Sequence, residues 1–216
     1  MYFPMVTQFN DYEMNILKNV KGKFINNIYI INSLFDKPNK LTKTGEIFIL
    51  ELKNKIIILR TVITGVLYSD ETEKLFVEEV LDTDFDLWRK TVDPCKRKFK
   101  DEYLIKIAMS DVLIDVCVNR EQIVTKDRDI VRDINRDLLL TFTFYSGKIW
   151  AINTTEAIPE FIYVYEISGS EFNKQVKERK GIGESQDVIR LFGKWNPNDS
   201  LDGEILLKYE RKDIHL

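Results

Sequence analysis

Residues 47–63 read IFILELKNKIIILRTVI, two apolar runs on either side of Lys53-Asn54-Lys55. Asn tolerates the positive φ of a tight hairpin, so the pattern predicts two antiparallel strands, Ile47 to Leu52 and Ile56 to Ile63, joined by a short turn. Neither run alternates cleanly between apolar and polar side chains. That is the signature of strands covered on both faces, and it places this hairpin in the core.

Working upstream, Phe24 to Ile31 is rich in Ile and aromatic residues and ends at Asn32-Ser33, which predicts another strand. Asp36-Lys37-Pro38-Asn39 is turn chemistry, with a loop running on to Gly45. Before the strand, Tyr12, Ile16 and Leu17 fall near helical spacing, with Asp11 able to cap and Gly22 just past the end; a short helix over 11–20 follows.

Downstream, Asp70, Glu71, Glu73, Glu78, Glu79, Asp82, Asp84 and Asp86 stand against the single Lys74, and Lys96-Arg97-Lys98 with Lys100 comes almost at once after them. These runs are expected to form a solvated connector, residues 70–102, between a β-rich N-terminal lobe (1–69) and a second β-rich lobe (103–168), the alternative being one compact domain. In the second lobe Val112, Ile114, Val116 and Val118 alternate with Asp111, Leu113, Asp115, Cys117 and Asn119, as in a half-exposed strand. Leu138 to Tyr145, Ser146-Gly147 and Lys148 to Ile152 repeat the hairpin signal, and Phe161, Tyr163, Tyr165 and Ile167 alternate again. Residues 169–216 are expected to hold two short helices, capped by Ser170 and Ser185, and a last strand, Glu204 to Tyr209.

Arg128, Arg132 and Arg136 recur at spacing four beside Asp129, Asp133 and Asp137, with Ile130, Ile134 and Leu138 as a third row. This spacing predicts a surface helix held by local ion pairs. Laying 15–32 against 103–120 aligns Phe24, Ile28 and Ile30 with Val112, Val116 and Val118, a weak internal repeat that would make the two lobes similar. The expected fold is therefore α+β, mainly antiparallel β, with short flanking helices.

The chain has 216 residues, 32 basic and 35 acidic, with one His and a formal charge of −3. Its longest aliphatic runs are four residues, far from the roughly 20 a membrane-crossing helix needs. Met1-Tyr2-Phe3-Pro4 lacks a basic or apolar leader, so a cytoplasmic location is expected. The wealth of Ile, Lys and Asn with a single His is what A/T-rich codons give, which points to a low-GC bacterium or its phage. Cys95 and Cys117 form no metal spacing and read as reduced thiols. His215 is penultimate, where chains usually fray, so clusters of several imidazoles and His general bases are not expected.

Among candidate sites, Glu51-Leu52-Lys53 ends an apolar strand, with Asp36 beside Pro38 fifteen residues upstream. This resembles the active-site pattern of the PD-(D/E)xK nucleases. The resemblance implies acidic residues holding a divalent metal and a lysine that orients or activates the attacking water, with Glu51 and Lys53 on one side of the strand. Asp82, Asp84 and Asp86 lack the Gly and the closing Glu of an EF-hand, and Gly181-Ile182-Gly183 lacks a phosphate-binding lysine. Phe142, Phe144, Tyr145, Trp150, Phe161, Tyr163 and Tyr165 sit beside Thr, Glu and Pro rather than Lys and Arg. They therefore read as sheet core and not as a base-stacking platform.

With no nucleotide loop, metal cluster or supported nucleophile in the sequence, the expected function is a non-catalytic protein-binding module, of the inhibitor or immunity type (toxin-neutralising or anti-defence). It would take no cofactor and bind neither membrane nor nucleic acid. Its partner would be another protein of basic character, meeting Asp70, Glu71, Glu73, Glu78, Glu79, Asp82, Asp84 and Asp86, with Trp88 as an aromatic anchor. The alternatives are a metal-dependent nuclease using Asp36, Glu51 and Lys53, and a structural or virion assembly subunit.

Overall fold

The computed structural model describes residues 2–32, 42–67, 70–85, 87, 104–154, 162–168 and 205–216. In chain order these form β1 (Tyr2–Thr7), α1 (Asp11–Val20), β2 (Phe24–Asn32), β3 (Thr42–Glu51), β4 (Lys55–Leu67) and β5 (Asp70–Leu81). A 3-10 turn (Asp82–Asp84) precedes β6 (Leu104–Asp127), β7 (Ile130–Phe144), β8 (Lys148–Thr154), β9 (Ile162–Ser168) and β10 (Ile205–His215). The described chain is thus mostly β with one helix.

Six strands pair in a circuit, β2 with β3, β3 with β9, β9 with β8, β8 with β7, β7 with β6 and β6 with β2, all antiparallel. The sheet is nearly closed into a barrel. Two long strands carry it past the barrel wall. β6 pairs β2 through residues 104–112 and then β10 through 117–126, while β1 joins β7 in parallel and makes the sheet mixed. β4 and β5 extend it from β3.

The hairpin of residues 47–63 forms as its sequence predicts, closed by the Leu52 amide donating to the Lys55 carbonyl at 2.9 Å. Ile47 to Leu50 and Ile56 to Leu59 are all buried, because the sheet is covered on both sides. Phe48, Leu50, Ile57 and Leu59 join the main core cluster, while Ile47, Ile49, Ile56 and Ile58 form a second cluster with Tyr29, Val80 and Phe85. Asn54, however, does not use a positive φ; among described non-glycine residues only Ser110 and Arg128 do.

Inside the barrel, Phe48 stacks on Phe142 with centroids 5.9 Å apart, and Trp150 lies tilted against Phe48 at 6.1 Å. Each such ring, fully withdrawn from water, contributes on the order of 2–3 kcal/mol. α1 adds Ile16, Leu17 and Val20 to this core. Its cap is Asn10 rather than Asp11: the Asn10 side chain accepts from the Glu13 amide and the Glu13 carboxylate accepts from the Asn10 amide, a capping box.

Three expectations are corrected. The acidic run is not an open connector along 70–81, because those residues form β5 and pair with β4 throughout. Arg128, Arg132 and Arg136 do not lie on a helix: Asp127 pairs with Ile130 in a tight β6–β7 turn, and Arg136 faces Glu121 across the ladder. Spacing four is also every second residue of a strand's one face, and here the strand pairing won. Finally, the alternation of 111–119 breaks at a register shift between Leu113 and Asp115, so that Leu113 and Val116 are both core while Ile114 is exposed. The helices expected over 170–192, the turn at 36–39, and Cys95 lie outside the described residues.

Candidate functional site

Glu51 is the last residue of β3, and its carboxylate is occupied. Asn27 opposite it donates from Nδ2 at 2.9 Å, and the Tyr29 hydroxyl donates to the same oxygen. Burial, then the bond to Glu51, pushes the Tyr29 hydroxyl well above the usual tyrosine range. The Lys106 ammonium lies over the Tyr29 ring, 5.5 Å from its centroid. Lys53 is exposed in the turn beyond the strand, and Asp36 lies outside the described residues. Glu51 therefore fastens β2 to β3. Among the described residues no group of three or more His, Cys, Asp or Glu is placed to hold a metal.

The acidic segment divides in two. Within β5, Glu78 accepts from Arg60 at 3.1 Å and Glu79 from Lys55 at 2.7 Å, and the Arg60 guanidinium also covers the Phe76 ring at 5.1 Å. These two carboxylates are neutralised by β4, the strand beside them. Asp70, Glu71 and Glu73 lie at the other end of β5. Past the strand the charges stand open: Asp82 and Asp84 are exposed, and neither forms an ion pair among the described residues. Leu81 and Leu87, on either side of them, are 57% and 64% exposed. The Asp82 amide donates to the Asn54 carbonyl at 3.3 Å, which fixes this acidic end against the β3–β4 turn. Asp86 and Trp88 lie outside the described residues.

Two groupings were not legible in the sequence. His215 is not frayed: it is the register partner of Cys117, and its Nδ1 lies 2.8 Å from Asp115, which also meets Lys21 at 3.4 Å. The Cys117 thiol is free and buried, and burial pushes its pKa up, so it stays a protonated thiol at neutral pH. The second grouping is a row of outward side chains, Phe24, Val112 and Tyr145. Phe142, Phe144 and Trp150 are core as their setting predicts, whereas Tyr145 is the most exposed large hydrophobic of the described chain.

Among the described residues no helix is long and apolar enough to cross a membrane. No family model matches the chain, and neither a curated protein nor a solved structure matches it.

Proposed function

We propose that the chain is a non-catalytic protein-binding module of the inhibitor or immunity type, toxin-neutralising or anti-defence, from a low-GC bacterium or its phage. The observation that carries this reading is the end of β5, where exposed Asp82 and Asp84, in no ion pair among the described residues, lie between exposed Leu81 and Leu87. Open carboxylates steer a basic partner into place, and leucines beside them supply the apolar area that holds it. Of the acidic run, Glu78 and Glu79 are spent on Arg60 and Lys55, so the contact surface contracts toward the turn.

A metal-dependent nuclease has less support, because the Glu51 carboxylate is engaged by Asn27 and Tyr29. The test is affinity capture of the tagged chain from host lysate at low and high salt, run beside the variants Asp82→Asn/Asp84→Asn and Leu81→Ser/Leu87→Ser. A stoichiometric, salt-sensitive protein partner lost from both variants is the expected result. A partner retained by both variants, or recovery of the chain alone at low salt, overturns the reading.

A further inference from the structure

Phe24 of β2, Val112 of β6 and Tyr145, the first residue past β7, form a row across three neighbouring chain segments. Phe24 and Val112 are register partners, and the Tyr145 amide donates to the Val112 carbonyl at 2.9 Å. Their neighbours Ile25, Leu113 and Phe144 are wholly buried. Successive strand side chains point to opposite faces, so all three members of the row point outward. Phe24 is 51% and Tyr145 80% exposed, and Ile114, turned out by the register shift in β6, widens the platform. With adjacent strands about 4.8 Å apart, the two ring-bearing positions stand about 10 Å from each other.

The row is held rigidly. The Gly22 amide donates to the Leu113 carbonyl at 2.7 Å and the Leu113 amide to the Lys23 carbonyl at 2.9 Å. Asp111 accepts from the Val112 amide at 2.8 Å and the Ser146 amide at 3.2 Å, tying β6 to the β7–β8 turn. Exposed lysines lie near the rings in the chain: Lys18 in the last turn of α1, Lys21 and Lys23 in the turn entering β2, and Lys148 three residues after Tyr145, opening β8. The acids nearby are already engaged, Asp111 by those amides and Asp115 by His215 and Lys21. Lys18 and Lys23 form no ion pair among the described residues.

We infer that this end of the barrel binds single-stranded nucleic acid, with Phe24 and Tyr145 each stacking a base and Lys18 and Lys23 meeting the phosphates between and beside them. Aromatic faces spaced along a cationic surface grip a single strand without reading its sequence. Neither ring lies on an amphipathic helix, the usual device for entering a bilayer surface. This inference goes beyond the protein-binding reading and stands without it.

The test is fluorescence anisotropy of labelled oligothymidylate and oligouridylate with the full chain at about 50 mM and about 200 mM salt. Binding that weakens as salt rises is expected, falling a further tenfold or so in Phe24→Ala and in Tyr145→Ala, while Tyr145→Phe retains it. Lys18→Gln/Lys23→Gln should flatten the dependence on salt, by roughly 0.7 in log–log slope for each phosphate no longer neutralised. Both rings are exposed, so an unchanged urea midpoint verifies that each variant is folded. No anisotropy change at the lower salt, or affinity unaltered in both alanine variants, overturns the inference. So does equal affinity for polyglutamate or for anionic lipid vesicles, which would show a general polyanion surface or a lipid surface instead.

Discussion

Glu13 in the first turn of α1 and Lys74 in β5, 61 residues apart in sequence, form an ion pair whose carboxylate is wholly withdrawn from solvent. The same carboxylate accepts from the Asn10 amide at 2.8 Å and from the Val77 amide at 3.3 Å. One side chain thus closes the helix cap and takes a backbone donor of an outer strand that would otherwise invite a further strand.

Removing one member of such a pair strands the other. Glu13→Ala should cost roughly 3–5 kcal/mol, more than loss of a helix cap alone at about 1 kcal/mol. Lys74→Met, which leaves the capping box intact, should cost less, and the double variant Glu13→Ala/Lys74→Met less than the sum of its parts. Urea denaturation of the wild type, both single variants and the double variant checks this as a double-mutant cycle; additive costs would show that the pair is not coupled.

Asp137 does for β1 what Glu13 does for α1. Its buried carboxylate accepts from the Phe9 amide at 2.6 Å and from Arg120 Nε and Nη2 at 2.7 and 3.0 Å. In Asp137→Ala both partners lose their acceptor, and a cost of about 3–5 kcal/mol follows. Hydrogen exchange should show the Phe9 amide, protected in the wild type, exchanging far faster than the β7–β8 amides in the variant.

The two turns that close β7 differ in how they obtain a positive φ. Gly147 holds φ +83° with nothing within 4 Å of where a Cβ would stand, so Gly147→Ala is penalised by backbone conformation alone, by about 1 kcal/mol. Arg128 holds φ +51° with a full side chain. Arg128→Gly should therefore stabilise the fold, by roughly 0.5–1 kcal/mol, and the shifts of the two urea midpoints should have opposite signs.

Two surface carboxylates contribute to the response to acid. The Tyr2 hydroxyl foremost, then the Gln122 amide, holds Asp133 below the usual carboxylate range, and Ser146 does the same for Asp111. A carboxylate with a folded pKa below its unfolded one adds stability that is fully present above the unfolded value, about 4, and is lost as pH falls through the folded value. Stability should be level between about pH 5 and 6 from these groups and decline below about 4, modestly, since both are largely screened by water. In Tyr2→Phe the Asp133 carboxyl should titrate at higher pH, as carbon-detected NMR would read directly.

The sequence by itself determined the elements whose own residues carry the signal. The double-sided hairpin of 47–63 was legible because four consecutive positions on each of its strands are aliphatic or aromatic, β2 because of its density of Ile, and the β7–β8 turn because Gly147 supplies its φ. α1 was legible from its apolar spacing, although the cap fell one residue earlier. Only the tertiary structure decided that 70–81 is a strand, because Arg60 and Lys55 of β4 supply the countercharges that Glu78 and Glu79 lack locally. It also decided the β6–β7 hairpin, since Arg-Asp repeats suit either period and the partners that choose, Glu121 for Arg136 and Arg120 for Asp137, lie on the opposite strand. The candidate surfaces follow the same rule. Lys23, Phe24 and Tyr145 are scattered in sequence, and become one surface only when β6 brings the α1–β2 and β7–β8 turns to the same end of the barrel. Side-chain patterns record what a residue prefers locally; long-range pairing, where each buried polar group must find its partner, selects among those preferences.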